Sequence, residues 1–222
     1  MANRSYLYAL DFDRTKGTRE KGEKIFGLSE YPYSIPLSYK ILVSQDSKNS
    51  YSINWDYEHP IAIQGNFEKG KQKLVEFLSK LENENIFDKS ELEKQISETK
   101  EFLNEHKLAN IILECGEIYE MGNEELEEQN RKLLEEEILK IDEKLEEVIA
   151  DFKQEKMNIL NLRSEIIKLS KPRSFFQKLF SSDKTSEIQK LEETVKNKEQ
   201  EMWNTLGINY WSDVLYFHFD NE

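Results

Sequence analysis

An α+β fold is predicted by three features of the chain. Strand-like runs lie near both ends (Ser5–Leu10 and Val214–Phe219), amphipathic helical stretches lie between them, and a seven-residue apolar repeat runs from Leu134 to Leu169. Ser5 to Leu10 is aromatic-rich and reads as a buried strand. Asp13 to Lys24 is charged and without period, so it reads as a loop. Tyr31 to Pro36 is irregular, and Pro36 then suits the first turn of a short helix over 36–43. Ile61 to Gln64 reads as a second strand ending at Gly65. Asn66 is placed to cap a helix over 67–82, whose apolar positions are Leu74, Phe77, Leu78 and Leu81. A further helix over 90–106 turns Leu92, Ile96, Phe102 and Leu103 inward, and Ile111–Glu114 reads as a third strand.

The repeat has two seams. One is Leu134, Ile141, Val148, Glu155, Leu162 and Leu169; the other is Ile138, Leu145, Phe152, Ile159 and Ile166. Spacings of three and four put both on one helical stripe, the pattern of a coiled coil. A second run follows through Ile188, Leu191, Val195, Met202 and Leu206, with Gly207 to end it. Two such helical segments, joined by a connection of about 15 residues once Lys171-Pro172 stops the first, are expected to form an antiparallel hairpin over 123–206. That hairpin is read as an insertion, projecting from an α+β domain of residues 1–122 plus 207–222. The sheet is expected to be mostly antiparallel or mixed, with Val214–Phe219 as its last strand. Glu155, the one polar break in the long repeat, is placed to pair with Lys198 of the returning helix and so fix register.

Composition narrows the function classes. The chain of 222 residues carries a net charge of −13, with 37% hydrophobic and 34% charged residues. Such acidity argues against binding nucleic acid, whose phosphates it would repel, and against broad attraction to anionic lipid. A basic protein is the natural electrostatic complement, although acidity also serves plain solubility. Cys115 is the single cysteine, no apolar stretch reaches membrane-spanning length, and the N-terminus lacks the pattern of a signal peptide. A cytoplasmic protein, without stable membrane association and monomeric in preference to a coiled-coil dimer, is the expectation.

Met1 to Tyr8 (Met-Ala-Asn-Arg-Ser-Tyr-Leu-Tyr) and Ile35 to Ser44 resemble a family of uncharacterised bacterial proteins that opens with the same Ala-Asn-Arg-Ser-Tyr-Leu-Tyr phrase. Ile61 to Phe67, followed by a Leu-rich helix, resembles its pattern as well. The likeness covers roughly residues 1–120 and leaves the hairpin unmatched. It implies a soluble bacterial domain with an N-terminal strand, and it supplies no catalytic residues.

Leu10-Asp11-Phe12-Asp13-Arg14-Thr15 resembles the first motif of haloacid-dehalogenase-type phosphohydrolases, in which an apolar strand delivers Asp-x-Asp-x-Thr. That resemblance implies Asp11 as nucleophile, Asp13 as acid and base, and magnesium at the phosphate. Against it, no late acidic pair completes a magnesium site, and the regular βαβ succession is missing. An Asp-x-Asp at a strand end is also ordinary turn chemistry. His59, His106 and His218 are scattered without metal-ligand spacing and read as structural or exposed. Alternation in the last strand would turn His218 away from Phe217 and Phe219. Cys115 reads as a buried strand cysteine. No cofactor and no metal is expected.

The connection Lys171 to Phe180 is basic and aromatic within an acidic protein. Phe175, Phe176, Lys178, Leu179 and Phe180 fit three roles: a cap on the hairpin's own core, a protein contact, or a membrane contact. From Glu124 to Asp151 there are twelve acidic and four basic residues, a net of −8 and the signature of a solvated helix face. Within that run Glu135, Glu136, Glu143 and Glu147 are candidate partner-binding residues. The leading expectation is a non-catalytic protein-binding protein, most concretely an immunity-type inhibitor of a cognate bacterial toxin or effector. The alternatives are the phosphohydrolase using Asp11 and Asp13, and a self-associating coiled-coil structural protein.

Overall fold

The computed structural model describes residues 3–16, 22–171 and 182–219, the side chains of 182–184 excepted. It is an α+β fold around one five-stranded sheet in the order β2-β1-β5-β4-β3, and every neighbouring pair is antiparallel. The strands are β1 (Arg4–Leu10), β2 (Ile25–Pro32), β3 (Lys48–Ser50), β4 (Ala62–Asn66) and β5 (Asn110–Glu114). Register places Tyr6 opposite Glu114, Tyr8 opposite Ile112, and Ala62 on the other side of Glu114. Side chains alternate along strands, so Tyr6, Tyr8, Leu10, Ile112, Glu114, Ala62 and Gln64 share one face. Leu7, Ala9, Ile63, Gly65, Ile111 and Leu113 share the other.

The second face meets helices. Helix α1 (Leu37–Leu42) ends against β4, where a side chain at Gly65 would strike the Val43 carbonyl. Helix α2 (Phe67–Asn83) begins where Asn66 Oδ1 accepts a hydrogen bond from the Lys69 N–H, the cap its sequence implies. Its Leu74, Phe77, Leu78 and Leu81 are buried, and it packs on α1 and on α3 (Lys89–Glu105), itself capped by Asp88. The first face meets no long helix among the described residues. Only the 3-10 turn at Arg14–Lys16, whose Arg14 N–H donates to Gln64, and the short helix over Gly116–Tyr119, whose Glu117 accepts from Tyr6, reach it. It is otherwise covered by irregular chain, with Ile53, Trp55, Phe217 and Phe219 packed on Tyr6, Tyr8, Leu10 and Ile112.

Three features differ from the sequence reading. Residues 213–219 form no strand. Leu215 is buried, Phe217 and Phe219 half-buried, and Val214, Tyr216 and His218 exposed, so the apolar alternation is real. The segment lays that stripe across the first sheet face instead of joining the ladder. The backbone contacts at the sheet edge come from Trp211, bridged to Ser29, and from the Ser212 N–H donating to the Leu28 carbonyl. Strand β2 takes one edge of the sheet, with β3 at the other; its Gly27, Ser29 and Pro32 and a bulge opposite Leu7/Tyr8 break the two-residue period that marks strands. The long helix is also not continuous from 123. Helix α4 (Gly116–Tyr119) and helix α5 (Leu126–Lys132) lead into a π-helical turn over Leu133–Ile138 that buries Leu133, Leu134 and Ile138. A break at Leu139–Lys140 then precedes helix α6 (Ile141–Ser170).

The chain divides into two compact units, residues 1–146 with 206–222, and residues 147–205. In the second unit the continuing α6 and helix α7 (Ser182–Leu206) bury Ile149, Phe152, Ile159, Val195 and Met202. Lys198 Nζ donates to Glu155 Oε1 at 2.5 Å, the pairing expected from the polar break in the repeat, and Arg163 pairs with Glu199. In the first unit Gly207 follows α7 with φ of 67°, and a side chain there would meet Pro36 Cβ at 2.3 Å, so glycine is required twice over.

Candidate functional site

The first face of the sheet, the one covered mainly by irregular chain, holds a buried polar cluster. At its centre Glu114 is fully buried; its carboxylate accepts hydrogen bonds from Ser52 Oγ at 2.7 Å and from the Ile53 N–H at 2.7 Å. Ser52 Oγ in turn accepts from the Asn54 and Trp55 N–H groups. Arg14 donates from Nε and Nη2 to the Ser52 carbonyl, at 3.1 and 2.7 Å. Burial pushes the Glu114 carboxyl up to about 7 against the pull of those hydrogen bonds and of the Arg14 charge. The group thereby pins the 52–55 loop onto the sheet. Around it Tyr6, Trp55 and Phe217 meet edge to face, with centroids 5.4–6.3 Å apart, and Tyr8 meets Phe219 at 5.5 Å.

Beside this cluster lies a cleft of 360 Å³ between the end of α3, β2 and the C-terminal segment. His106 and His218, 112 positions apart, both line it, with Glu105, Asp213, Phe217 and Phe219. Sequence separation hid this convergence. His218 is exposed while Phe217 and Phe219 pack on Tyr6 and Tyr8, the alternation expected from the sequence, and all three residues line the cleft although the segment is not a strand. His106 stacks on Phe102 at 4.2 Å, and its Nδ1 lies 2.9 Å from the Phe102 carbonyl. A carbonyl only accepts, so Nδ1 carries the proton and Nε2, 3.9 Å from Asp213 Oδ2, faces the carboxylate.

Asp11 and Asp13 lie in the turn after β1. Asp11 Oδ1 accepts from the Lys24 N–H, and Asp13 Oδ1 accepts from Thr15 N–H, Thr15 Oγ1 and Gln64 Nε2. The Thr15 hydroxyl, above all, holds the Asp13 carboxyl below its usual range. Cys115 is buried and its thiol is raised by that burial, while His59 sits exposed within 3.5 Å of Glu127. Among the described residues no group of three or more His, Cys, Asp or Glu side chains could hold a metal ion. No helix among them is long and apolar enough to cross a membrane.

The acidic stretch is tied to the first unit at several points. Asn130, buried on α5, accepts from Tyr119 Oη and donates to the Ala62 carbonyl and to Asn49 Oδ1. Lys40, Lys73 and Lys80 of α1 and α2 then pair with Glu137, Asp142 and Glu146. Part of the negative run is therefore neutralised internally, by lysines far away in sequence. The carboxylates turned outward include three of the candidates: Glu135, paired with Arg131, and Glu136 and Glu143, all exposed. Leu139 lies among them and is 59% exposed. Glu147 is exposed too, in the second unit. Phe175, Phe176, Lys178, Leu179 and Phe180 lie outside the described residues.

No curated protein matches the chain, and no solved structure does. A family whose description is Domain of unknown function (DUF7822) matches residues 14–155, from the turn after β1 into α6. That span starts after the Ala-Asn-Arg-Ser-Tyr-Leu-Tyr phrase and passes beyond residue 120. It takes in β2 to β5, the buried Glu114, His106 and the outward carboxylates. Matched over more than half its length, this chain belongs to the DUF7822 family of domains of unknown function.

Proposed function

We propose that this protein is a non-catalytic binder of a basic protein, most concretely an immunity-type inhibitor of a cognate toxin or effector. The observation that carries the reading is Leu139, 59% exposed, with Glu135, Glu136 and Glu143 three or four positions away on either side. A large exposed apolar side chain in an acidic stretch of sequence suits an interface with an apolar centre and a charged rim. The negative rim steers a cationic partner and the apolar centre holds it once docked. The net charge of −13 supports the same polarity of partner.

The test is affinity purification of the tagged protein from its native cells beside a Glu136→Lys, Glu143→Lys variant and a Leu139→Asp variant. A basic protein is expected to copurify stoichiometrically with the unaltered chain, to weaken steeply with salt, and to be lost from both variants while their circular dichroism is unchanged. Retention of the same partner by both variants would remove this surface from the reading. Failure to recover any basic partner would remove the inhibitor role.

A further inference from the structure

We infer that the cleft between the end of α3, β2 and the C-terminal segment binds an alkylammonium or guanidinium group, with the Asp213 carboxylate and His106 Nε2 accepting its N–H bonds. The site, at the end of α3, does not depend on the acidic surface around Leu139.

The tautomer of His106 is set by its backbone partner. Its Nδ1–H is committed to the Phe102 carbonyl, and the ring is held in place by stacking on Phe102 and by the edge of Phe26 at 6.1 Å. In the neutral ring Nε2 is therefore an acceptor. It faces a second acceptor, Asp213 Oδ2, across 3.9 Å. Two acceptors at that separation are complemented by a ligand that donates to both, and a primary ammonium or guanidinium has the several N–H donors this requires. Among the described residues the lining sets the sign of the charge: it holds two carboxylates, from Glu105 and Asp213, and no lysine or arginine. Phe217 and Phe219 supply aromatic surface for the ligand's carbon stem and for cation–π attraction. The floor is rigid. Tyr8 and Ile25 are buried, Tyr8 Oη donates to the Phe217 carbonyl, and Gly27 brings β2 against Asp213 and Leu215. At 360 Å³ the cleft admits one side-chain-sized group.

The experiment follows the imidazole Cε1–H resonance of His106 in the full-length protein at pH 7.5 during titration with n-butylammonium. Butan-1-ol serves as the neutral control, and a blocked peptide with one central lysine as the polypeptide form of the same cation. A saturable shift with butylammonium, little shift with the alcohol, and affinity about tenfold weaker in Asp213→Asn are expected. A smaller loss is expected in Glu105→Gln, whose exposed position leaves packing unaltered. If the peptide binds tenfold or more tightly than butylammonium, the natural ligand is a basic side chain of a polypeptide; if not, it is a free organic amine. Equal shifts with the alcohol would show an apolar hollow and overturn the inference. Unchanged affinity in a folded Asp213→Asn variant would do the same. So would the absence of any shift with both cations, the result expected if an Nε2-protonated His106 fills the site by pairing with Asp213 itself.

Discussion

Lys198 reaches across from α7 to donate its hydrogen bond to Glu155 of α6, at the one polar position of an otherwise apolar seam. The ammonium holds the Glu155 carboxyl below its usual range, and the carboxylate holds Lys198 above its own. The lowered carboxyl contributes stability above the ordinary carboxylate range, lost as pH falls through its depressed value. The raised ammonium contributes below the ordinary lysine range, lost as pH rises past its elevated value. Glu155→Gln and Lys198→Met are therefore expected to lower the thermal midpoint near neutral pH, and the double variant to lower it by less than their sum. The coupling should vanish at pH 2. Additive effects at neutral pH would show that the pair contributes nothing to the second unit.

Glu114 carries the opposite sign. Its folded value of about 7 lies above the 4.5 of an exposed glutamate, so its contribution is fully present below pH 4.5 and declines as pH rises towards 7. The decline amounts to something on the order of 3 kcal/mol. In Glu114→Gln that slope of stability against pH, read from urea unfolding at pH 5 and pH 8, is expected to disappear. Ser52→Ala removes one donor to the carboxylate and should cost about 1–3 kcal/mol, more at pH 8 than at pH 5, because the ionised form needs that donor most. An unchanged slope in the glutamine variant would mean that another group sets the pH dependence.

Gly27 is the contact that seats the C-terminal segment. A Cβ there would lie 2.8 Å from the Asp213 carbonyl oxygen and 2.9 Å from Leu215 Cγ. The nearer atom is backbone, so Gly27→Ala is expected to displace residues 213–215 at a cost of about 1–3 kcal/mol. The exchange protection of the Ser212 N–H, which donates to the Leu28 carbonyl, should fall with it. Unaltered protection and stability would show that the segment adapts freely.

The stretches that carry their own periodicity were readable from residues alone. Helices α1 to α3, the Asn66 cap, strands β1, β4 and β5, and the apolar seams of α6 and α7 with Glu155 as their polar break all follow from which side chains share a face, and that is a local property. What tertiary structure decided is where backbone groups and distant charges find their partners. Residues 213–219 have the alternation of a strand but pack on Tyr6 and Tyr8 instead of pairing, and β2 takes the edge with a pattern broken by Gly27 and Pro32. Lys40, Lys73 and Lys80 cancel carboxylates that lie 66 or more positions along the chain. Only folding buries Glu114 and brings His106 and His218 to one cleft. Hydrogen-bond partners and burial depend on which segments become neighbours, and no spacing within a segment encodes that.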